Sequence, residues 1–552
     1  MSMDKPMAGK SDPFSTDTTA EKTEDFLGRH FRIILPGGCR AGLPAKGWPS
    51  MNNPTISKSQ YMEGLRCPKL FWLRRHRAHL AAAPDQQSLH IFDVGHTVGR
   101  FARELYPGGH MIPMGSYGRL VIDTETALAQ HNSYYYEPAF EAAGLRCRLD
   151  IFCCKNGGNA WELKEVKMCS RVKPENIQDV AFQGYCVEQS GYHVDRFSLI
   201  YVNTSYILEG KIEPQKFLLE EDITAAVTPE IPRVVTKLKN LLATFEQPDP
   251  PAILIGTHCS SPGKCPYWDL CHSQIKEDSV YNLPNGNHRV PELLAAGITR
   301  LSDIPTTKDL TSRQVSTVQS AKVLQAVVDV EEIRGFLQKL SYPHFYLDFE
   351  TIAPCVPTFQ GTSPCEKVPF QYSLHVQKER DAELQHYQFL PENKGDPRYP
   401  LLKELLVNLG DKGSIIAWNM SFEKSVLQKL VKQFPEFGES ISSLQRRFTD
   451  LMVPFKNGAV VDYRFCGSAS LKKVLPVLCP SLSYDNLAIQ HGDDSSLIYQ
   501  KYVVEAMPEL EWARLRPDML AYCERDTFGM VEILRVLYQF VENTKTKLGG
   551  AL

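Results

Sequence analysis

Tyr346-Leu347-Asp348-Phe349-Glu350-Thr351 is the stretch on which the reading of this chain turns. Phe345, Leu347 and Phe349 alternate with Tyr346, Asp348 and Glu350, which is the two-residue period of a strand. Asp348 and Glu350 then stand on one face of it. Neighbouring carboxylates repel unless a cation lies between them, and such a pair is how a divalent-metal site begins. Taken alone, the same pattern describes a solvated strand face. Acids elsewhere in the chain decide between the two.

Working outward, residues 370–376 and 384–390 read as two further strands. Leu402, Leu405, Leu406 and Leu409 mark a helix ended by Gly410. Residues 414–418 form a buried strand leading into Asn419-Met420-Ser421-Phe422-Glu423, which opens another helix with Ser421 as its N-cap. Near the end, Leu520-Ala521-Tyr522-Cys523-Glu524-Arg525-Asp526 lies on a long helix, where Tyr522 and Asp526 share a face. Strand-strand-strand-helix-strand-helix is the order of an RNase H-like core.

These positions resemble the DnaQ-like 3′–5′ exonucleases of the DEDD type. Asp348 and Glu350 match the first motif, Asn419-x-x-Phe422-Glu423 the second, and Tyr522-x3-Asp526 the third. Ala521 stands where the alternative histidine belongs, so the resemblance is to the DEDDy variant. It implies that Asp348, Glu350, Glu423 and Asp526 hold two Mg²⁺ or Mn²⁺ ions about 4 Å apart, with Tyr522 orienting the attacking water. The second motif usually ends in Asp; Glu423 carries its carboxylate about 1.5 Å further out. Asp450 reads as structural. Ser470-Leu471-Lys472-Lys473-Val474-Leu475 reads as a basic helix able to touch phosphates.

In the preceding half, Ser57 caps an amphipathic helix through Tyr61, Leu65, Leu70, Phe71 and Leu73, with Cys67-Pro68 inside it. It runs into the basic cluster Arg74, Arg75, His76, Arg77 and His79, which is either a solvated helix end or a phosphate contact. Asp93-Val94-Gly95-His96 opens another helix. Residues 134–140 and 147–154 read as strands, with Asp150 inside the second, and Asn156-Gly157-Gly158-Asn159 as a hairpin turn. Residues 161–168 form the next strand; Trp161, Leu163, Glu165 and Lys167 share one face, Glu162, Lys164 and Val166 the other. A helix with Ile177, Val180, Ala181, Gly184 and Val187 on one side follows, carrying Asp179 and Gln183 on another.

An Asp, then Glu-x-Lys on a hairpin neighbour, then a helix bearing Gln resembles the PD-(D/E)XK nuclease superfamily. The resemblance implies acids for Mg²⁺ and a lysine near the scissile phosphate, filled here by Asp150, Glu165 and Lys167. Glu162-Leu163-Lys164 is a competing register, and a plain hairpin with surface charges is the bland alternative. Three cysteines, Cys259-x5-Cys265-x5-Cys271, follow in a Gly/Pro-rich loop, and Cys67 supplies a fourth before the core. This layout resembles the iron–sulfur RecB-like nucleases, including AddB and the CRISPR-associated spacer-acquisition nucleases. There a [4Fe–4S] cluster staples the ends of the domain. The family spacing is commonly Cys-x2-Cys-x5-Cys, so zinc stays open as the alternative. The resemblance also makes His96 a metal ligand and Gln183, with Tyr185, nucleotide-facing.

The chain has 552 residues, 43% hydrophobic and 23% charged, with a net charge of −3. That is an ordinary globular balance without a global basic field, so nucleic acid must be met by local patches. No run approaches a membrane span. Fifteen cysteines without an export signal suggest a reducing cytoplasm, where grouped thiols mean metal more often than disulfide. The expected organisation is α/β. Residues 1–50 form a disordered tail, with Met51 an alternative start. Residues 51–275 form the PD-(D/E)XK (restriction-endonuclease-like) domain, 276–340 a helical connector and 341–552 the RNase H-like DnaQ-type domain. Ala296-Gly297 in the connector faintly resembles a helix-hairpin-helix turn. Both halves together resemble a bacterial family catalogued as a domain of unknown function. The expected activity is hydrolysis of nucleic-acid phosphodiesters, foremost at single-stranded DNA ends, with a helicase or a repair or defence assembly as partner. Two alternatives stand beside it: only the C-terminal site is catalytic and the iron–sulfur module is a clamp, or the whole is a non-catalytic scaffold.

Overall fold

Alternating apolar residues build two mixed sheets, one in each half of the chain. The computed structural model describes residues 55–155, 160–305, 309–505 and 507–549. The expected tail 1–50, the start at Met51 and the turn Asn156-Gly157-Gly158-Asn159 lie outside the described residues.

In the first half, β1 (His110–Met111), β2 (Tyr134–Tyr136), β3 (Ile151–Lys155), β4 (Ala160–Lys167), β5 (Val194–Val202) and β6 (Leu218–Asp222) lie side by side in that order. The β1–β2 and β4–β5 pairs are parallel and the others antiparallel. A three-stranded sheet, ordered Ile56–Ser57, Leu145–Arg148 and Ala139–Ala142, accompanies it. The chain steps from this small sheet to β3 at Leu149-Asp150, where Leu149 N–H donates to Pro138 O and Glu137 N–H to Asp150 O. Asp150 therefore sits between two strands, not inside one as its apolar neighbours suggest. Helix Pro174–Gln189 packs across β5 so closely that a Cβ at Gly184 would meet the Phe197 ring at 2.7 Å.

Two helix readings change. Ser57 does cap, with a reciprocal bond to Gln60, but the helix splits into Lys58–Arg66 and Pro68–His76. Proline disfavours helical geometry in the residue before it, and Cys67 adopts φ −160°, ψ 110°. His96 does not start a helix. Asp85 caps Gln86–Glu104 by accepting from Ser88 N–H at 2.8 Å, which leaves His96 in mid-helix and exposed.

The second sheet has β7 (His344–Ile352), β8 (Val368–Gln377), β9 (Gln385–Phe389), β10 (Ser414–Ala417) and β11 (Phe448–Asp450), in the spatial order β9-β8-β7-β10-β11. β8 is antiparallel to both neighbours, whereas β10 runs parallel to β7 and β11. Both faces of β7 are covered. Phe345, Leu347 and Phe349 pack with Leu402, Leu405, Val426 and Leu430 from helices Arg398–Leu409 and Met420–Gln433. Tyr346 and Ile352 pack with Met519, Tyr522 and Leu534 of the long helix Glu509–Gly549. A strand that looks half-solvated by its alternation is thus enclosed, with its acids under the terminal helix. Asn419, not Ser421, is the N-cap of Met420–Gln433; it is held at φ 72°, a region asparagine tolerates.

Residues 276–340 are mostly short helices around Val280, Leu293, Leu301 and Val318. Gly297 (φ 75°) follows the six-residue helix Val290–Ala295. From Asn53 onward the chain is one compact unit. The loop after β7 docks on the first half: Leu208 N–H donates to Thr362 O, Gly361 N–H to Leu208 O, and Gln360 pairs with the backbone of Gly210. Among the described residues no helix is long and apolar enough to cross a membrane.

Candidate metal centre

Period-two alternation puts Asp348 and Glu350 on the face of β7 that the terminal helix covers. The β7–β8 register slips between Glu350 and Thr351, where Pro369 replaces an amide donor. Such irregularities re-aim side chains. From the helix, Asp526 reaches the same point, and Asp348, Glu350 and Asp526 each bring an oxygen within 4.8 Å of the others. Tyr484 donates to Asp526 Oδ1, and Cys523 Sγ–H to Asp348 Oδ2 at 3.7 Å. Lys472 Nζ lies 5.0 Å from the Tyr522 ring centre and 5.7 Å from that of Tyr484.

Glu423 stands outside the trio. Its side chain is 1% exposed, and Oε2 has no hydrogen-bond partner. Burial pushes its carboxyl up, and the Asp348 charge adds to the effect. Asp348 and Glu350 are likewise pushed well above the usual range, by burial first and then by neighbouring acids. Asp526 is raised by burial to about 6, with Tyr484, Lys472 and Tyr522 opposing. Buried carboxylates that raise one another, one with an orphaned oxygen, are what a divalent cation relieves. Asp450 does structural work, accepting from Asn419 N–H at 3.1 Å and Met452 N–H at 3.0 Å. Tyr484 and Lys472 were not assigned to this site from sequence; the basic pattern at 470–475 flagged Lys472, and nothing local flagged Tyr484.

The other predicted acids also converge, differently. Lys58 Nζ donates to Glu165 Oε1 at 2.9 Å, and Lys167 Nζ to Glu165 Oε1 and to Asp179 Oδ2 at 2.6 Å. Gln183 Nε2 bridges Glu165 Oε2 at 2.8 Å and Asp179 Oδ1 at 2.9 Å. Asp150 Oδ2 accepts from Val166 N–H at 2.6 Å. Burial would raise Glu165, but Lys167 and Lys58 outweigh it and hold the carboxyl down at about 2. Burial and the Glu165 charge raise Asp150 to about 7. Glu162 and Lys164 pair on the other face with Ser198 and Glu220, so Glu165 and Lys167 are the register that meets Asp150. Burial raises the Tyr185 hydroxyl, with Cys186 and Glu188, rather than these acids, as the neighbours that add to it. His96 belongs to neither of the two trios of metal-capable side chains found among the described residues. Lys58 is the first residue of the helix Lys58–Arg66, and nothing in its local sequence points to Glu165.

Cys67, Cys259, Cys265 and Cys271 line one pocket, walled by Leu70, Leu73, Ile253 and Tyr267. Arg66 ties the helix to the cysteine loop through Nε to His258 O at 2.6 Å and Nη2 to Cys259 O at 3.1 Å. Burial raises the Cys67 and Cys265 thiols, and the other cysteines add to it. In the basic cluster, Arg74 is spent on Glu63.

A family model described as Domain of unknown function (DUF2779) matches residues 345–470. The matched span holds Asp348, Glu350 and Glu423 and ends before Tyr522 and Asp526. Two curated relatives are similar to the chain: "Uncharacterized protein MG366 homolog" of Mycoplasma pneumoniae, 26% identical over 229 residues, and "Uncharacterized protein MG366" of Mycoplasma genitalium, 24% identical over 227. The matches cover 38% and 37% of this chain and 34% and 33% of those proteins, so the chain spans about a third of the curated relatives it matches. A solved structure titled "Crystal structure of SSO0001" covers 41% of this chain and 91% of its own at 10% identity, with a TM-score of 0.23, too low to carry an argument.

Proposed function

We propose that the protein is a metal-dependent nuclease that hydrolyses phosphodiesters at single-stranded DNA ends, with Asp348, Glu350, Glu423 and Asp526 as its catalytic acids. The observation that carries this reading is the convergence of Asp348 and Glu350 with the sequence-distant Asp526, near a buried fourth acid, Glu423, whose Oε2 has no hydrogen-bond partner. Strand-strand-strand-helix-strand-helix in the second half supports an RNase H-like core. A pair of bound Mg²⁺ or Mn²⁺ ions would activate water and stabilise the leaving oxygen. The four acids hold that charge. Tyr484 fixes one oxygen of Asp526, Tyr522 orients the attacking water, and Lys472 offers positive charge to the incoming phosphate.

The first half supports a PD-(D/E)XK reading through Asp150, Glu165, Lys167 and Gln183. A second reading, the nucleic-acid clamp, is favoured by Lys58 and Lys167, which already neutralise Glu165. For the cysteine pocket, an iron–sulfur cluster is the reading over zinc, supported by four cysteines from two distant segments lining one pocket. Iron content and visible absorbance after anaerobic purification test that assignment.

Labelled single-stranded DNA should be degraded with Mg²⁺ or Mn²⁺, and adding Asp348→Asn to an Asp150→Asn background should stop it. If the double variant degrades as fast as Asp150→Asn alone, this proposal is wrong. Asp150→Asn separates the two readings of the first half: a second nuclease site loses an activity, whereas a clamp keeps turnover and binds with a shallower salt dependence.

A further inference from the structure

We propose that His375, His386 and Glu524 form a separate cation site for a first-row transition ion such as Zn²⁺. His375 on β8 is the direct cross-strand partner of His386 on β9, and Glu524 comes down from the terminal helix. Each offers a ligand atom, and all of these lie within 4.8 Å of one another. The two rings stack with centres 4.3 Å apart.

Two features separate this trio from an ordinary polar contact. First, each ring commits one nitrogen to a hydroxyl: His375 Nδ1 to Thr527 Oγ1 at 2.9 Å and His386 Nε2 to Ser373 Oγ at 2.9 Å. Ser373 and Thr527 are themselves joined at 2.7 Å. Anchoring one nitrogen and presenting the other is how metal-binding histidines are held. Second, His386 Nδ1 stands 3.9 Å from Glu524 Oε1. That is too long for a hydrogen bond, and close to the separation of about 3.4 Å between two ligands with 2.1 Å bonds at a tetrahedral ion.

Two imidazoles and one carboxylate suit zinc-like ions, with water in the fourth position, whereas the all-oxygen acid site suits Mg²⁺. Glu524 is 49% exposed and His386 22%, which leaves a path from solvent. An ion there pins the terminal helix to β8 and β9 two residues from Asp526.

The test is a Co²⁺ titration of the full-length protein in excess Mg²⁺, read by the cobalt ligand-field band and by metal per chain. Cobalt on the cysteines is told apart by its intense thiolate charge-transfer band. The expected result is one equivalent without thiolate character, retained by Asp348→Asn and weakened at least about tenfold in both His386→Ala and Glu524→Gln. Thermal melts establish that each variant is folded. The proposal is overturned if the folded His386→Ala and Glu524→Gln proteins bind Co²⁺ like the parent, or if Asp348→Asn alone removes it.

Discussion

Around Glu165, two carboxylates (Glu165 and Asp179) are interleaved with Lys58 and Lys167 at ion-pair distance, and Asp150 lies beside them on the Val166 N–H. Around half-buried Asp348, the buried Glu350, Glu423 and Asp526 gather, and Lys472, Arg525 and Lys367 are cations that oppose the shifts of these acids. The consequence differs at the acids the lysines touch. Glu165 is held down at about 2 even though Asp150 beside it is raised to about 7, whereas Asp348, Glu350 and Glu423 are all pushed well up. The chain supplies its own counter-charge at the first cluster and leaves the second to be completed from solution. Two acidic clusters that look equally metal-like in sequence therefore differ in how much they need an ion.

The most severe way to probe the difference is to remove a carboxylate from each. Asp348→Asn should lower metal-dependent turnover by about three orders of magnitude, because several kcal/mol of transition-state stabilisation depend on the ions it helps hold. A comparable loss in Asp150→Asn would erase the distinction. Next in size, Lys167→Met should destabilise the fold by roughly 1–2 kcal/mol in urea, less than the cost of an unpaired buried charge, since it leaves buried Glu165 and Asp179 to share Lys58 alone. Adding Glu165→Gln should recover part of that, and a neutral Lys167→Met would refute the self-neutralised description.

The pH dependence carries the contrast further. Asp526 rises from 3.8 to about 6 on folding. A raised carboxyl gives stability that is present below 3.8 and lost as pH climbs through about 6, on the order of 3 kcal/mol for two pKa units. Metal-free protein should lose melting temperature across that window, Mn²⁺ should restore it, and Asp526→Asn should make the loss shallower, with Asp348, Glu350 and Glu423 supplying the remainder. Glu165 works the other way: lowered from 4.5 to about 2, its contribution holds above 4.5 and fades as pH falls through about 2. The smallest expected effect is Tyr522→Phe, about tenfold in turnover with unchanged metal affinity, because only a water-orienting hydroxyl is lost. A shift in metal affinity instead would make Tyr522 part of the ion-binding set.

Much of this was legible in the chain because its signals are local. Alternation marked β7, four-residue spacing paired Tyr522 with Asp526, and Ser57 announced its helix. What failed did so where a distant partner intervened. Asp150 reads as strand until the switch between two sheets is known, and Asp85 displaces Asp93 as the start of the His96 helix. Lys58 looks like any helix N-terminus, yet its partner Glu165 lies 107 residues on. Tyr484 finds Asp526 across 42 residues of intervening chain.

Sequence alone determined the residue types: which acids, thiols and histidines exist, and which strand or helix face bears them, because period and capping act over a few residues. Only the tertiary structure decided their electrostatic company. Whether a buried carboxylate meets a lysine, another carboxylate or an imidazole depends on packing between elements far apart in the chain, and that neighbour sets whether the group is satisfied or waits for an ion.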